Sequence, residues 1–248
     1  TMWARIMKGL GATDPRAMMM RFHSQTGGST LTAQQPQNNI ARVTIQTLAA
    51  VLGGTQSLHT NGYDEALGLP TEEAARIALR TQQIVAFESG VADTADPLAG
   101  SYFVEALTRE VESRANDLME QIDQLGGSVP AIEQGFIQDQ IARSAYRQQR
   151  QAESGEKIIV GVNKFQGGRV EPTPVFQVDE SIRVLQTAKL VALRKQRDPA
   201  RCDSLLQQLN DKAASDENIM PTVLEAAENH CSLGEIADTL REVFGEYR

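Results

Sequence analysis

The sequence predicts an α/β protein in which two consecutive parallel strand-helix units are followed by a mainly helical region. Three observations carry this. Strand-like segments are scarce among the 248 residues, and two of the three stand near the N-terminus. Each of those two is followed by an amphipathic helical run rather than a tight turn, and a helical crossover implies parallel pairing. Beyond Gly90 nearly every periodic stretch recurs at helical spacing.

In chain order, Trp3, Ile6, Met7 and Leu10 read as the continuation of a helix already under way. The first strand is Met18-Met19-Met20-Arg21-Phe22-His23-Ser24, whose alternation puts Arg21, His23 and Gln25 on one face and Met20 and Phe22 on the other. Ile40, Val43, Thr47, Leu48 and Val51 follow Asn38 and Asn39 at helical spacing until Gly53-Gly54 stops the run. Gly54-Thr55-Gln56-Ser57-Leu58-His59-Thr60 is the second strand. Pro70-Thr71 opens the next helix, with Glu72 and Glu73 in its first turn, where carboxylates favour the positive end of the dipole. Its predicted apolar face is Ala74, Ile77, Ala78, Ile84 and Val85, ending near Gly90.

The helical region starts with a long stripe, Val104, Leu107, Val111, Leu118, Ile122 and Leu125, terminated by Gly126-Gly127. Further helices are predicted near 135–153, 179–197, 199–210 and 218–229. A final helix is opened by a capping box, Ser232 with Glu235, and is expected to bury Ile236, Leu240, Val243 and Phe244. Lys157-Ile158-Ile159-Val160-Gly161-Val162 after Gly155 is the third strand. The loop 163–178, with Gly167-Gly168, Pro172 and Pro174, reads as a boundary. Two parallel strands cannot close a barrel, which takes about eight. The chain therefore reads as the C-terminal portion of a longer polypeptide, or as one that completes its sheet with another chain.

The balance of 24 Lys+Arg against 32 Asp+Glu leaves a net charge of −8, which argues against nucleic acid and anionic membranes as partners. No apolar run is long enough to cross a bilayer and no export signal is evident. Cys202 and Cys231 have no metal-ligand spacing and read as inert thiols suited to a reducing cytoplasm. His230 beside Cys231 lacks the further ligands a metal site requires.

Polar residues gather where the first two strands stop, in His23-Ser24-Gln25-Thr26-Gly27-Gly28-Ser29 and Gln56-Ser57-Leu58-His59-Thr60-Asn61-Gly62. Loops at the carboxyl ends of parallel strands bring donors, acceptors and helix N-termini together, so both should line one mouth. His23 alone reads equally as a core histidine or a ligand. Gln25 on the same face tips it, because two neutral hydrogen-bonders suit an amide or carbonyl, whereas acid-base chemistry more often brings a carboxylate as well. His59 reads as structural, and Met18-Met19-Met20 as packing against a helix. Gly27-Gly28 is either a tight turn or a close approach of backbone to a flat ligand, and Asn61 with Glu65 reads by itself as a turn followed by a solvated carboxylate.

The run from Arg21 to Pro36 (RFHSQTGGSTLTAQQP), with Gly53-Gly54-Thr55-Gln56-Ser57-Leu58-His59-Thr60-Asn61, Asp64-Glu65-Ala66-Leu67, Glu88-Ser89-Gly90, Asp96-Pro97 and Gly161-Val162-Asn163-Lys164, resembles the large (alpha) subunit of the methylmalonyl-CoA mutase family. The resemblance extends through essentially the whole chain. It implies that residues 1–100 are the last strand-helix units of an acyl-CoA-binding TIM (β/α) barrel, and that residues 101–248 link this barrel to a cobalamin-binding domain. The reaction implied is adenosylcobalamin-dependent isomerisation of an acyl-CoA carbon skeleton, (R)-methylmalonyl-CoA to succinyl-CoA, in a cytoplasmic enzyme assembled as a dimer or heterotetramer. His23, Gln25 and Gln56 match positions that contact the acyl-CoA. Gly28 and Ser29 match the segment against the corrin, although Ser29 replaces a tryptophan common in the family. Asn61 and Glu65 match residues that hold the adenosyl ribose, and Gly68 falls near the cofactor where alanine is common. The family's carboxylate-gripping tyrosine, arginine and histidine match nothing in this stretch, nor does its Asp-x-His-x-x-Gly cobalt-ligand motif, so no catalytic or metal-binding residue is assigned and the segment alone should be inactive. Rival readings are an isobutyryl-CoA or 2-hydroxyisobutyryl-CoA mutase, and a non-catalytic assembly subunit. Polar groups aimed into a barrel mouth argue against the latter.

Overall fold

The computed structural model describes residues 2–167 and 173–246; Thr1, Gly168 and Pro172 lie outside them. It divides into two compact units, Thr1–Phe176 and Gln177–Arg248.

The first unit opens with helix α1 (Met2–Gly9) and reaches strand β1 (His23–Gln25). Helix α2 (Asn38–Leu52) follows, then strand β2 (Ser57–His59) and helix α3 (Glu72–Glu88). β1 and β2 pair in parallel with His23 opposite Ser57 and Gln25 opposite His59, as expected when a helix makes the crossover. The two helices pack on each other through Val43 and Thr47 of α2 and Ala74, Ala78 and Val85 of α3, all buried. Small residues at that seam let the backbones approach closely. Thr71 caps α3 by accepting the Ala74 N–H at 3.2 Å.

The predicted first strand is shorter than its alternation suggested. Pro15–Met18 forms a 3₁₀ turn, and Met19 and Met20 are exposed rather than packed against a helix. Leu48 and Ile84 are likewise exposed, and buried Asn39 and Thr81 share the inward faces of α2 and α3 instead. The third strand does not form. Lys157–Val162 makes a single bridge, Val160 to Lys164, and its Val160 carbonyl is taken by Arg42 of α2 rather than by a strand.

Helices α4 (Tyr102–Gln124), α5 (Ser128–Glu133) and α6 (Phe136–Glu153) complete this unit. The stripe on α4 is covered only in part: Val104, Ile122 and Leu125 are half-buried, whereas Leu107, Val111 and Leu118 are exposed. The 157–167 segment folds back on the loop after β1. Arg42 donates to the Val160 carbonyl at 2.8 Å, and Gln35 to that of Phe165 at 3.2 Å.

The second unit consists of α7 (Glu180–Gln196), α8 (Pro199–Ala213), α9 (Met220–Glu228) and α10 (Leu233–Phe244). Its core is Cys202, Leu205, Leu209, Ala226, Cys231 and Ile236. Phe244, expected inside, is exposed. The capping box at Ser232 and Glu235 is present, and Arg197 adds a two-pronged ion pair to it, its Nη1 2.7 Å from Glu235 Oε2 and its Nη2 2.5 Å from Oε1. The guanidinium holds the Glu235 carboxyl far below the usual carboxylate range. Cys231 lies with its thiol 4.0 Å from the Cys202 carbonyl. Burial, then the neighbouring Cys202 thiol, push its pKa up to about 11, so Cys231 has the character of an unreactive core thiol.

Candidate active-site face at the strand ends

The parallel register decides which side chains meet. His23 and Ser57 face each other, and His23 Nδ1 lies 2.7 Å from Ser57 Oγ. Gln25, one pleat further on the same face, donates to Asn61 Oδ1 at 3.1 Å. Across the sheet Ser24 and Leu58 are half-buried, whereas His23, Gln25, Ser57 and His59 are exposed. The polar face is thus an open floor, and among the described residues no second wall encloses it.

His59 shares this floor and is exposed. It borders a cleft of about 220 Å³ together with Glu65. Its pairing opposite Gln25 was not readable before the register was known.

Two loops meet above the floor. Thr26 extends the ladder by donating its N–H to the His59 carbonyl at 3.1 Å, and its hydroxyl accepts the Asn61 N–H at 2.9 Å. Asn61 is 2% exposed and also donates to the Thr26 carbonyl at 3.2 Å. Its amide therefore joins the two loops and orients Gln25. Gly28 presses directly on this joint: a Cβ there would lie 2.9 Å from Asn61 Nδ2 and 3.3 Å from Glu65 Oε1. Glu65 itself is exposed. Gln25, Gly28, Asn61 and Glu65 consequently form one cluster, with bare backbone at Gly28 and an exposed carboxylate at Glu65.

The remaining predicted residues lie apart from it. Gln56 accepts the Phe22 N–H at 2.8 Å and donates to the Gly54 carbonyl at 2.8 Å, so its amide pins the start of β1. The free side of Gly68 meets Val175, where a Cβ would be 3.0 Å from Cγ1. Ser29 is exposed and borders a groove of about 790 Å³ that α6 lines on its other side. Its small side chain leaves room that a larger one would fill.

Three supports escaped the sequence reading. Gln46 of α2 accepts the Gly27 N–H and donates to Thr30 Oγ1 at 2.7 Å, bracing the Gly28–Thr30 turn. Asn39, fully buried, donates to the carbonyls of Thr32 and Tyr63, each at 2.9 Å, and accepts from Thr32 N at 3.2 Å and Arg42 Nη1 at 2.6 Å. Asp64, 1% exposed, accepts the Thr71 N–H at 2.8 Å. Among the described residues there is no group of three or more His, Cys, Asp or Glu able to hold a metal, and no helix is long and apolar enough to cross a membrane.

The sequence pattern described as Methylmalonyl-CoA mutase matches residues 1–246. The chain belongs to the methylmalonyl-CoA mutase family. It is 43% identical to the 2-hydroxyisobutanoyl-CoA mutase large subunit of Aquincola tertiaricarbonis, over 99% of this chain and 44% of that one. It is also 43% identical to the methylmalonyl-CoA mutase of Escherichia coli, over 99% of this chain and 35% of that one. The human mitochondrial methylmalonyl-CoA mutase is 42% identical over 100% of this chain and 33% of its own length. The chain thus spans less than half the length of these mutases. Its small parallel sheet within a mainly helical α/β fold is consistent with a partial mutase domain.

Proposed function

We propose that this chain supplies part of the reaction chamber of an adenosylcobalamin-dependent acyl-CoA mutase that converts (R)-methylmalonyl-CoA to succinyl-CoA. The observation that carries the reading is the convergence of Gln25, Gly28, Asn61 and Glu65 at the ends of two paired parallel strands, beside a floor bearing His23. Residues 1–100 are assigned to the substrate barrel and 101–248 to the region that links it to a cobalamin-binding domain. That domain lies either on the same polypeptide or on a small subunit, within a dimer or heterotetramer in the reducing cytoplasm.

The residues fit the cofactor. Gly28 presents backbone with no side chain to hold a flat macrocycle away, and Ser29 leaves room beside it. Glu65 offers a carboxylate to ribose hydroxyls, with Asn61 setting its surroundings; Gly68 stands one turn further from the cluster. When bound, adenosylcobalamin supplies the radical that takes a hydrogen from the substrate and later returns it. The chain's own task is to position and to exclude water and competing donors. His23 and Gln25 offer neutral hydrogen bonds to the thioester end of the acyl-CoA, and Gln56 holds the strand that carries His23 while offering its remaining N–H to the CoA arm.

The kinship with a 2-hydroxyisobutanoyl-CoA mutase large subunit favours a second reading, the same chemistry on another acyl group. Both are tested by presenting methylmalonyl-CoA, isobutyryl-CoA and 2-hydroxyisobutyryl-CoA to the intact enzyme containing this chain, with and without adenosylcobalamin. The expected result is turnover only with adenosylcobalamin, with methylmalonyl-CoA preferred by at least about tenfold, or roughly 1.4 kcal/mol. Turnover without the cofactor overturns the mechanism. Preference for a hydroxylated or unsubstituted branched acyl group selects the second reading. The segment alone is expected to show no turnover.

A further inference from the structure

Asp64 is a buried polar group that the proposed chemistry leaves unused. Its side chain is 1% exposed, and its Oδ1 is the buried side-chain oxygen or nitrogen that lacks a hydrogen-bond partner among the described residues. The other oxygen accepts the N–H of Thr71, the cap of α3. The backbone wraps around the same residue: the Asp64 carbonyl accepts from Leu67 N at 2.8 Å and from Gly68 N at 3.2 Å, and Glu65 N donates to the Gly62 carbonyl at 3.2 Å. Gly62 makes this fold-back possible, because a Cβ there would stand 2.6 Å from Asp64 Oδ1 and 3.3 Å from the Ala74 Cβ. Burying a carboxylate with no cation beside it costs several kcal/mol, and an apolar residue of similar size would avoid that cost. Its compensation is the anchoring of the 61–68 turn to the first turn of α3, where the helix dipole favours negative charge.

We propose that Asp64 is a positioning residue: by tying its loop to the start of α3 it fixes Asn61, three residues before it, and Glu65, next after it, in the placement that receives the adenosyl ribose. The inference rests on the proposed role of Glu65. A glycine at 62 and an acid at 64 act as one device, so disturbing either should have the same result.

The test uses the intact enzyme with Asp64→Ala, Asp64→Asn and Gly62→Ala. Three quantities are read: amide hydrogen exchange of the 60–71 peptide without cofactor, the dissociation constant of adenosylcobalamin from a visible-absorbance titration, and the dissociation constant of the acyl-CoA without cofactor. Asp64→Ala and Gly62→Ala are expected to raise exchange within 60–71 and weaken adenosylcobalamin binding roughly tenfold or more. Acyl-CoA affinity should fall several-fold less than this, because Gln25 loses its bond to Asn61 while His23 and Gln56 are untouched. Asp64→Asn keeps the volume as well as an oxygen for the Thr71 N–H and should restore most of the affinity that Asp64→Ala loses. Unchanged exchange and affinity in all three variants overturn the proposal, as does equal weakening of both ligands with exchange raised throughout the chain. Raised exchange in 60–71 with unchanged cofactor affinity instead overturns the role of Glu65 on which it rests.

Discussion

Gly28→Ala is expected to weaken adenosylcobalamin binding by at least about tenfold while leaving the chain folded, with an overpacking cost of about 1–3 kcal/mol. The new methyl would stand 2.9 Å from Asn61 Nδ2, 3.3 Å from Glu65 Oε1 and 3.4 Å from Glu65 Cγ. An exposed side chain could swing aside, but Asn61 is 2% exposed and is held by Gln25 and by both the hydroxyl and the carbonyl of Thr26. Either it gives up those bonds, which misplaces Gln25, or the Gly28–Thr30 turn moves outward against Gln46. Both outcomes displace Glu65. Titration of the intact variant with adenosylcobalamin, followed by a thermal melt, reads the two effects separately. Native affinity in a folded variant would show that the cluster does not meet the cofactor.

Asn39→Ala should be the most destabilising single change in the first unit, by roughly 3–5 kcal/mol. Its amide is fully buried and serves both loops of the candidate site, through Thr32 on one side and Tyr63 on the other. Truncation leaves two carbonyls and one N–H without partners, and frees Arg42 from one of its anchors. Each orphaned group carries its own desolvation penalty of about 1–3 kcal/mol. Asn39→Asp should fall between the two, since it keeps the acceptor for Thr32 and Arg42 and loses both donations. Denaturant unfolding of the chain measures the difference, and a change below about 1 kcal/mol would show that the loops hold themselves.

The helices were legible because their signals are local. A cap at Thr71 or Ser232, an apolar period and a glycine stop all act within a few residues of chain. The parallel pairing followed from the crossover helix alone. Lys157–Val162 misled because apolar alternation states only that a strand would be half-buried, not that the segment is placed alongside a partner edge. Burial misled in the same way at Phe244 and along α4, where periodicity identifies a face without identifying what covers it. α5 escaped because six residues containing Pro130 hold too little period to read.

The candidate site divides along the same line. His23 and Gln25 were visible as one face of a strand, and Gly28, Asn61 and Glu65 as residues of a resemblance. That Asn61 bridges Gln25 and Thr26, separated from it by 36 and 35 residues, depends on the strand register, which no local pattern encodes. Asn39 looked like the start of a helix and is the tie between two loops. Asp64 sat inside a recognised motif without any sign that its carboxylate points inward. Cys202 and Cys231, far apart in sequence, adjoin because α8 and the turn after α9 pack together.

The claim beneath all of this is that the open face of the two-stranded ribbon is where the acyl group reacts. His23→Ala in the intact enzyme tests it most directly, because the ring is exposed and its one described hydrogen bond is to Ser57. Its loss should leave the melting temperature within about a degree, a stability change under about 0.5 kcal/mol, while kcat falls by about 100-fold or more, the loss expected when a positioned hydrogen-bonding group is removed. Native turnover in the variant, or a fall in turnover matched by an equal loss of folded protein, would contradict the account.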